Sequence, residues 1–360
     1  MQRKAVRNGS DVNTIVEVGS VRFGHDPFPV IAGPRAIESE NQIMEVARAV
    51  AGAGAAVLRG GVFESSPSPY AFPGLGEPGL ELLRQAGEEV GLPTMTKALE
   101  PKDVDLVADH VDMIYVDPGS MQNFELLRVI GRSGRPVLLE RGGSATVDEW
   151  LWAAEYVLAE GNDQVVLCEA GIRTFEKSTR ATLDLSAIPV LKEKSHLPVI
   201  VAPSAAVGSP ARIQPLALAA LGVGADGIMI EVHPDPSTSR TSVSHHITPD
   251  SFSRLMEALG VNRIRMNIDM LDRDIVRLLA RRHRMAMEIG RIKAERGMPV
   301  QIPEREEELL GIIREEADHS GLDPERVERI FILILEQSRD AQHRARTGPG
   351  FGPARNVSIT

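Results

Sequence analysis

The chain has 360 residues, of which 42% are hydrophobic and 25% charged, and its formal net charge is -10. These values are typical of a globular protein with two or three domains, and the acidic balance argues against a nucleic-acid partner. The single cysteine, Cys168, excludes an internal disulfide and suits a reducing cytoplasm. No apolar run is long enough to span a membrane, and the first residues lack the apolar centre of a secretory signal.

Between residues 29 and 260, short apolar runs alternate with amphipathic helical patterns such as ENQIMEVARAVAGAG and VDEWLWAAEYVLAEG. Parallel strands that are covered on both faces are apolar throughout, so eight such runs, each followed by a helix, predict a (β/α)8 TIM barrel. A doubly wound open sheet is the alternative, and the count of eight and the lack of a GxGxxG turn disfavour it. The runs are PVIAG (from residue 29), AAVLRG (55), PTMTKA (93), MIYVDP (113), PVLLER (136), QVVLCEAG (164), PVIVAPS (198) and GIMIEVH (227).

The pattern becomes purely helical from residue 261 to residue 345. One long helix is predicted to end before Gly297, a second to run from Pro303 to a point before Gly321, and Asp323-Pro324 to cap a third. Three helices cannot bury so long an apolar stripe by themselves, so a homodimer is expected. The predicted domains are therefore 1–260, 261–345 and a Gly/Pro-rich tail, 346–360, expected to be disordered. The stripe on the first helix consists of Ile264, Ile268, Leu271, Ile275, Leu278, Met285, Ile289 and Ile292.

Polar residues also recur in the helical segment, at positions that core packing does not require. Any one of them fits a solvated charged face. Taken together, several fixed cations and an uncharged amide suit a small dicarboxylate ligand. The candidate site residues are Arg265, Arg282, Lys293, Arg305, Glu306, Ser338 and Gln342.

The segment 262–343 closely resembles the all-helical chorismate mutases, through IRMNIDMLD, RRHRMAMEIGRIK, PEREEELL and ILEQSRDAQ. The resemblance implies conversion of chorismate to prephenate without a cofactor or metal. Arg282 and Arg265 would hold the two carboxylates, with Arg265 contributed by the partner subunit. Lys293 and Gln342 would donate to the ether oxygen. Arg305 and Ser338 would help to place a carboxylate, and Glu306 would accept from the ring hydroxyl.

Residues 20–259 resemble short-class (type I-beta) 3-deoxy-D-arabino-heptulosonate-7-phosphate (DAHP) synthases, through RGG (59), SPY (68), MQNFELL (121), LCEAGIRT (167) and EVHPDP (231). That family condenses phosphoenolpyruvate with erythrose 4-phosphate at a divalent metal held by Cys, His, Glu and Asp. At the corresponding positions this chain carries Arg35, Ala205, Glu231 and Ser242.

The resemblance also implies that phosphate-binding cations are replaced, at Glu64, Ser66, Gly119, Glu140 and Ala170. The barrel is therefore predicted to be a noncatalytic scaffold or regulator. Two alternatives stay open: a bifunctional DAHP synthase/chorismate mutase, and a sensing or docking module for a separate shikimate-pathway enzyme. A tetramer formed through the barrel also stays open. The polar residues left for a pocket are Arg59, Arg141, Arg173, Glu231, His233 and Asp235.

Overall fold

The computed structural model describes residues 3–9, 12–25, 27–65, 68–241 and 246–347, which fall into two compact units, Met1–Arg263 and Ile264–Thr360. Ser66, Ser242 and residues 348–360 of the predicted tail lie outside the described residues. The last helix includes residues 346 and 347 of that tail. No helix in the described part of the chain combines the length and apolar character that a membrane span needs.

The first unit is a closed barrel of eight parallel strands, which confirms the predicted TIM barrel. Each strand pairs with its two neighbours, and the last strand closes the ring by pairing with both the first and the one before it. A two-stranded hairpin, β1 (Val16–Val18) and β2 (Val21–Phe23), precedes the ring. The barrel strands are β3 (Val30–Gly33), β4 (Val57–Arg59), β5 (Thr94–Lys97), β6 (Met113–Val116), β7 (Val137–Glu140), β8 (Val165–Glu169), β9 (Val199–Val201) and β10 (Ile228–Glu231).

The hairpin supplies a part of the core that the apolar pattern did not predict. Val16, Val18 and Phe23 are buried in one cluster with side chains from the interior of the barrel, among them Ile31 and Leu138. A barrel of eight strands has an interior just wide enough for side chains to fill it. The hairpin residues extend this packed interior beyond the strands, so the hairpin belongs to the core.

Helices cover the outside of the barrel, and two of them begin directly after a residue whose side chain caps the helix. The side chain of Ser39 accepts a hydrogen bond from the backbone of Gln42, and Thr146 and Glu149 form a capping box. The helices of this unit are α1 (Glu40–Gly52), α2 (Glu77–Val90), α3 (Val104–His110), α4 (Phe124–Ser133), α5 (Val147–Ala159), α6 (Ala187–Lys194), α7 (Pro203–Val207) and α8 (Ile213–Gly222).

The three predicted helices are α9 (Pro249–Glu295), α10 (Pro303–His319) and α11 (Pro324–Thr347), and the second unit begins within α9, at Ile264. Helix α9 begins twelve residues before the predicted start at residue 261, so that start was wrong. The isolated Gly260 does not end the helix because one glycine costs a helix only about 1 kcal/mol. The eight residues of the predicted apolar stripe on α9 are exposed in the single chain, from 43% for Ile292 to 62% for Leu271 and Leu278.

Candidate functional sites

Helices α9, α10 and α11 enclose a cavity of about 270 Å³. Six of the seven predicted polar residues line it, and apolar side chains such as Met285, Ile289 and Leu335 form the rest of its wall. A pocket with apolar walls and a few convergent polar groups is the usual form of a small-molecule site. The six are Arg282, Lys293, Arg305, Glu306, Ser338 and Gln342.

Two of the cations are held in place by oxygen atoms of the same unit. The guanidinium of Arg282 donates to the Ser338 hydroxyl, which in turn donates to the carbonyl of Ile334 at 2.7 Å. The ammonium of Lys293 donates to the carbonyl of Val300 at 2.7 Å. Partial burial lowers the pKa of Arg282 from its usual value. These contacts leave both positive charges without a carboxylate partner within salt-bridge distance among the described residues.

Gln342 is placed by a close approach of α9 to α11. A Cβ atom on Gly290 would lie 2.7 Å from the Cα of Gln342, so only glycine fits there. The amide oxygen of Gln342 is buried and has no hydrogen-bond partner among the described residues. A primary amide can present either its oxygen or its NH₂ group to a ligand, so this side chain is available to one. Gly290 was not among the site residues predicted from the sequence, because its contact with α11 arises only in the folded unit.

The carboxylate in the helical cavity, that of Glu306, is hydrogen-bonded within the same unit. Glu306 accepts hydrogen bonds from Arg339, at 2.8 Å, and from Gln301, at 3.1 Å. Arg305 pairs with Glu308 on the exposed side of α10. Ile302 and Val300 also line the cavity. The cavity therefore carries one acceptor carboxylate opposite several donors.

Arg265 is the predicted residue that the cavity lacks. It lies on α9 seventeen residues before Arg282, which is about 26 Å at the helical rise of 1.5 Å per residue. It is exposed in the single chain. One chain therefore brings six of the seven residues together and holds the seventh far from them.

The carboxyl ends of the barrel strands surround a second cavity, of about 350 Å³. Six of its polar side chains come from six different strands or the turns that follow them, as the parallel barrel requires. These side chains are Arg35 after β3, Arg59 on β4, Lys97 on β5, Tyr115 on β6, Glu140 on β7 and Glu231 on β10.

Five charged groups form an alternating chain at this end of the barrel. Lys97 contacts Glu64 at 2.7 Å, and Glu64 lies 3.5 Å from Arg35. Arg35 lies 3.8 Å from Glu231, which accepts a hydrogen bond from Arg59 at 3.2 Å. Burial lowers the pKa of Arg35, but the charges of Glu231 and Glu64 outweigh it and raise that pKa above its usual value. Buried charges persist when they are paired in this way.

The pairing of β3 with β4 sets the distance between the two arginines. Gly33 ends β3 at φ 150°, and a Cβ atom there would lie 2.0 Å from the carbonyl oxygen of Arg59. No side chain fits in that space, so glycine is required two residues before Arg35. The close backbone approach brings both guanidinium groups to Glu231.

This set of residues does not fit a divalent metal ion. Among the described residues, no group of three His, Cys, Asp or Glu side chains could hold one. Glu231, the remaining expected ligand, is engaged with Arg59 and Arg35. A permanently charged guanidinium next to that carboxylate opposes a second cation. Ser242, at the fourth expected ligand position, lies outside the described residues.

Tyr115 and Glu140 form a buried hydrogen-bonded pair beside the ion-pair chain. Burial raises the pKa of Glu140 to about 7, although the hydrogen bond from Tyr115 opposes the shift. Burial and the nearby charge of Glu140 raise the pKa of Tyr115 well above its usual value. Near neutral pH, Glu140 therefore exists in both protonation states.

The predicted set of polar residues in the barrel was incomplete. Five basic residues line the cavity, and two of them were not predicted from the sequence: Lys97 at the end of β5 and Arg180 in the loop between β8 and α6, which only the fold brings to the cavity. The five are Arg35, Arg59, Lys97, Arg173 and Arg180.

Three of the polar residues expected in a pocket, Arg59, Arg173 and Glu231, do line this cavity. The other three lie outside it. Arg141 pairs with Glu169 and Asp184, at 2.9 and 3.0 Å. His233 lies 3.7 Å from Glu38 and accepts a hydrogen bond from the backbone of Asp235 at 3.2 Å. These contacts hold neighbouring loops together.

The chain is thus a TIM barrel followed by a helical unit, each with a cavity lined by polar side chains, and comparison with known proteins gives the family. Residues 9–264 match the DAHP synthetase I family, and residues 264–343 match chorismate mutase type II. The chain belongs to the DAHP synthetase I family and carries a C-terminal chorismate mutase domain.

Several relatives support this assignment. The phospho-2-dehydro-3-deoxyheptonate aldolase of Thermotoga maritima is 42% identical over 247 residues, covering 69% of this chain and 73% of the relative. A crystal structure of this DAHP synthase from Thermotoga maritima is 40% identical, with a TM-score of 0.69 over 72% of this chain and 75% of that one. The 2-dehydro-3-deoxyphosphooctonate aldolase of Bartonella henselae is 29% identical over 269 residues, covering 69% of this chain and 95% of that one.

Replacing Glu140 by glutamine should change how stability depends on pH. The pKa of Glu140 is raised from 4.5 to about 7 in the folded protein. Its contribution to stability is therefore present at low pH and is lost as the pH rises through 7. Glutamine does not ionise, so the stability of E140Q relative to the wild type should rise by about 2–3 kcal/mol between about pH 5 and about pH 8.

Urea denaturation at the two pH values measures this difference. The exposed Glu45→Gln change on α1 is the control for the loss of one carboxylate from the protein. A difference for E140Q that does not vary with pH would mean that Glu140 titrates normally.

Proposed function

We propose that the helical unit converts chorismate to prephenate. The single observation that carries the proposal is the cavity in which Arg282, Lys293 and Gln342 face one space of about 270 Å³. The match of residues 264–343 to chorismate mutase type II supports it. The single cysteine, Cys168, is compatible with the cytoplasmic location that is part of this proposal.

The chemistry requires the residue types that line this cavity. The rearrangement takes place within one molecule and needs no nucleophile, metal or acid–base group. The enzyme must hold a compact conformer and stabilise negative charge that develops on the ether oxygen. In our proposal Arg282 holds a carboxylate, with Ser338 and Arg305 helping to place it. Lys293 and Gln342 donate to the ether oxygen, and Glu306 accepts from the ring hydroxyl.

A homodimer completes the site in this proposal. Chorismate carries two carboxylates, and within one chain Arg265 lies about 26 Å along α9 from Arg282. Arg265 of a second copy would bind the other carboxylate. The exposed apolar stripe on α9 supports this arrangement, because a contiguous apolar surface of this kind marks a protein interface. A tetramer through the barrel and docking of a separate shikimate-pathway enzyme stay predictions.

For the barrel, the comparisons favour the bifunctional alternative over the noncatalytic scaffold. The 42% identity to a phospho-2-dehydro-3-deoxyheptonate aldolase supports a barrel that keeps a working centre. The residues at the strand ends, however, do not fit the metal that the family resemblance implies. We therefore propose a barrel that binds its ligand without a metal, and condensation of phosphoenolpyruvate with erythrose 4-phosphate is its candidate activity.

Arg282→Ala and Gln342→Ala should each lower the turnover of chorismate by about 100- to 1000-fold, because each removes a donor to the reacting molecule. The assay is the loss of chorismate absorbance by the full-length protein in EDTA. Arg277→Ala is the matched control, since Arg277 is exposed on α9 and pairs only with Asp274 among the described residues. Turnover by R282A equal to that of the control would refute the assignment of the site.

A mixture of Arg265→Ala and Arg282→Ala proteins should recover activity if each site uses both subunits. Random reassociation then gives about one quarter of the wild-type sites, since half of the dimers carry one intact site. Arg282→Ala mixed with Gln342→Ala is the control, because both residues belong to the same chain's cavity and no intact site forms. Equal results for the two mixtures would mean that each site is built from one chain.

Any consumption of phosphoenolpyruvate with erythrose 4-phosphate should be insensitive to EDTA and to added Mn²⁺. The reason is that the Arg35 guanidinium stands beside Glu231, where the resemblance expects a metal ligand. Glu231→Gln is the control that separates the barrel's own activity from contaminating host synthase. Stimulation by Mn²⁺ would contradict the metal-free site, and no consumption at all would favour the noncatalytic prediction.

A further inference from the structure

The two oxygen atoms of the Glu306 carboxylate have different surroundings. Its Oε2 atom accepts both hydrogen bonds that the side chain receives, from Arg339 at 2.8 Å and from the amide of Gln301 at 3.1 Å. Its Oε1 atom has no hydrogen-bond partner among the described residues. An ionised carboxylate accepts hydrogen bonds at both oxygens, so Oε1 keeps its capacity for a donor on a ligand.

The two residues that donate to Glu306 do not belong to the wall of the helical cavity. Glu306 lines that cavity, whereas Arg339 and Gln301 do not. Arg339 reaches the carboxylate from α11, and Gln301 reaches it from the segment before α10. The carboxylate is therefore held from two different elements. Any effect of Arg339 or Gln301 on a ligand in the cavity has to pass through Glu306.

Arg339 also supplies the positive charge that an ionised Glu306 needs. It is the one cation within salt-bridge distance of Glu306 in the part of the chain that the structure describes. The adjacent Arg305 pairs with Glu308 instead. The first turn of α10 carries a further carboxylate, on Glu304, and like charges on one turn repel each other. Arg339 offsets this repulsion at Glu306.

We propose that Arg339 and Gln301 are positioning residues that fix Glu306 as the acceptor of a hydrogen bond from a hydroxyl group, and that they make the site selective for a ring hydroxyl on its substrate. An acceptor that is already in place needs no reorganisation during the reaction. A fixed acceptor also discriminates against an analogue without the hydroxyl, because the acceptor is then left unpaired. The inference rests on the proposed mutase activity and names the substrate group that this pair of residues selects.

Steady-state kinetics of the full-length protein test the proposal with two substrates, chorismate and its analogue that lacks the ring hydroxyl. Arg339→Met should lower kcat/KM for chorismate about 10- to 30-fold, because Glu306 loses a charged hydrogen bond and is free to turn away. With the analogue the loss should be less than about 3-fold, since that substrate has no ring hydroxyl to donate. A substitution that only disturbed the fold would lower both values equally.

Two further variants and a control refine the comparison. Gln301→Leu should act in the same direction with a smaller effect, because the amide carries no charge. Arg339→Lys should recover most of the loss, since an ammonium group keeps both a positive charge and a donor. Arg326→Met is the matched control, because Arg326 is an exposed arginine of α11 that pairs with Asp323. Its kcat/KM should equal that of the wild type for both substrates.

The outcomes separate this inference from the activity on which it rests. Equal losses on the two substrates in R339M, or unchanged values in both R339M and Q301L, would overturn the inference and leave the mutase activity in place. Should R339M fail to fold, Q301L, a change at an exposed side chain, still compares the two substrates. The absence of chorismate turnover by the wild type would overturn the proposed function, and the inference with it.

Discussion

Closure of the eight-stranded ring is the constraint on which the barrel site depends. Strand β10 pairs with β3 along four residues and with β9 at one position, and this joins the two ends of the sheet. Parallel strands all point their carboxyl ends to the same rim, so Arg35 and Glu231 meet although almost two hundred residues separate them. The apolar core around the ring and the hairpin at residues 16–23 stabilise this closure through buried surface.

At the carboxyl ends of the barrel strands, water is largely excluded, and charged side chains in such a space must be paired. Five side chains there form a row of ion pairs in which positive and negative charges alternate. The row runs in the order Lys97, Glu64, Arg35, Glu231 and Arg59. Replacing one of these five residues by an uncharged one leaves the charge of its partner unpaired, so each residue depends on its neighbours in the row. This is why a cation at position 35 fits with a carboxylate at position 64.

The helical unit also brings polar side chains together around a cavity, but it does so with helices. Its ligand site needs several fixed donors around one small cavity, and helices supply them at spacings of whole turns. The close approach at Gly290 brings α11 near enough to α9 for Gln342 to share the cavity with Arg282 and Lys293. The geometry of one straight helix also explains why Arg265 cannot join them within the same chain.

By itself, the sequence determined the eight barrel strands, because buried parallel strands are uninterrupted apolar runs, and the three helices, because helical spacing is local. The resemblance to a known family indicated the six residues of the helical cavity, since they lie on three different helices. The sequence did not reveal that α9 begins at Pro249, since a lone glycine is a weak stop signal. Nor did it reveal the roles of Lys97 and Arg180. Only the tertiary structure decided these, together with the partners of Arg35 and the pKa of Glu140. Charge pairing and burial depend on distances between residues that the closed ring alone brings together.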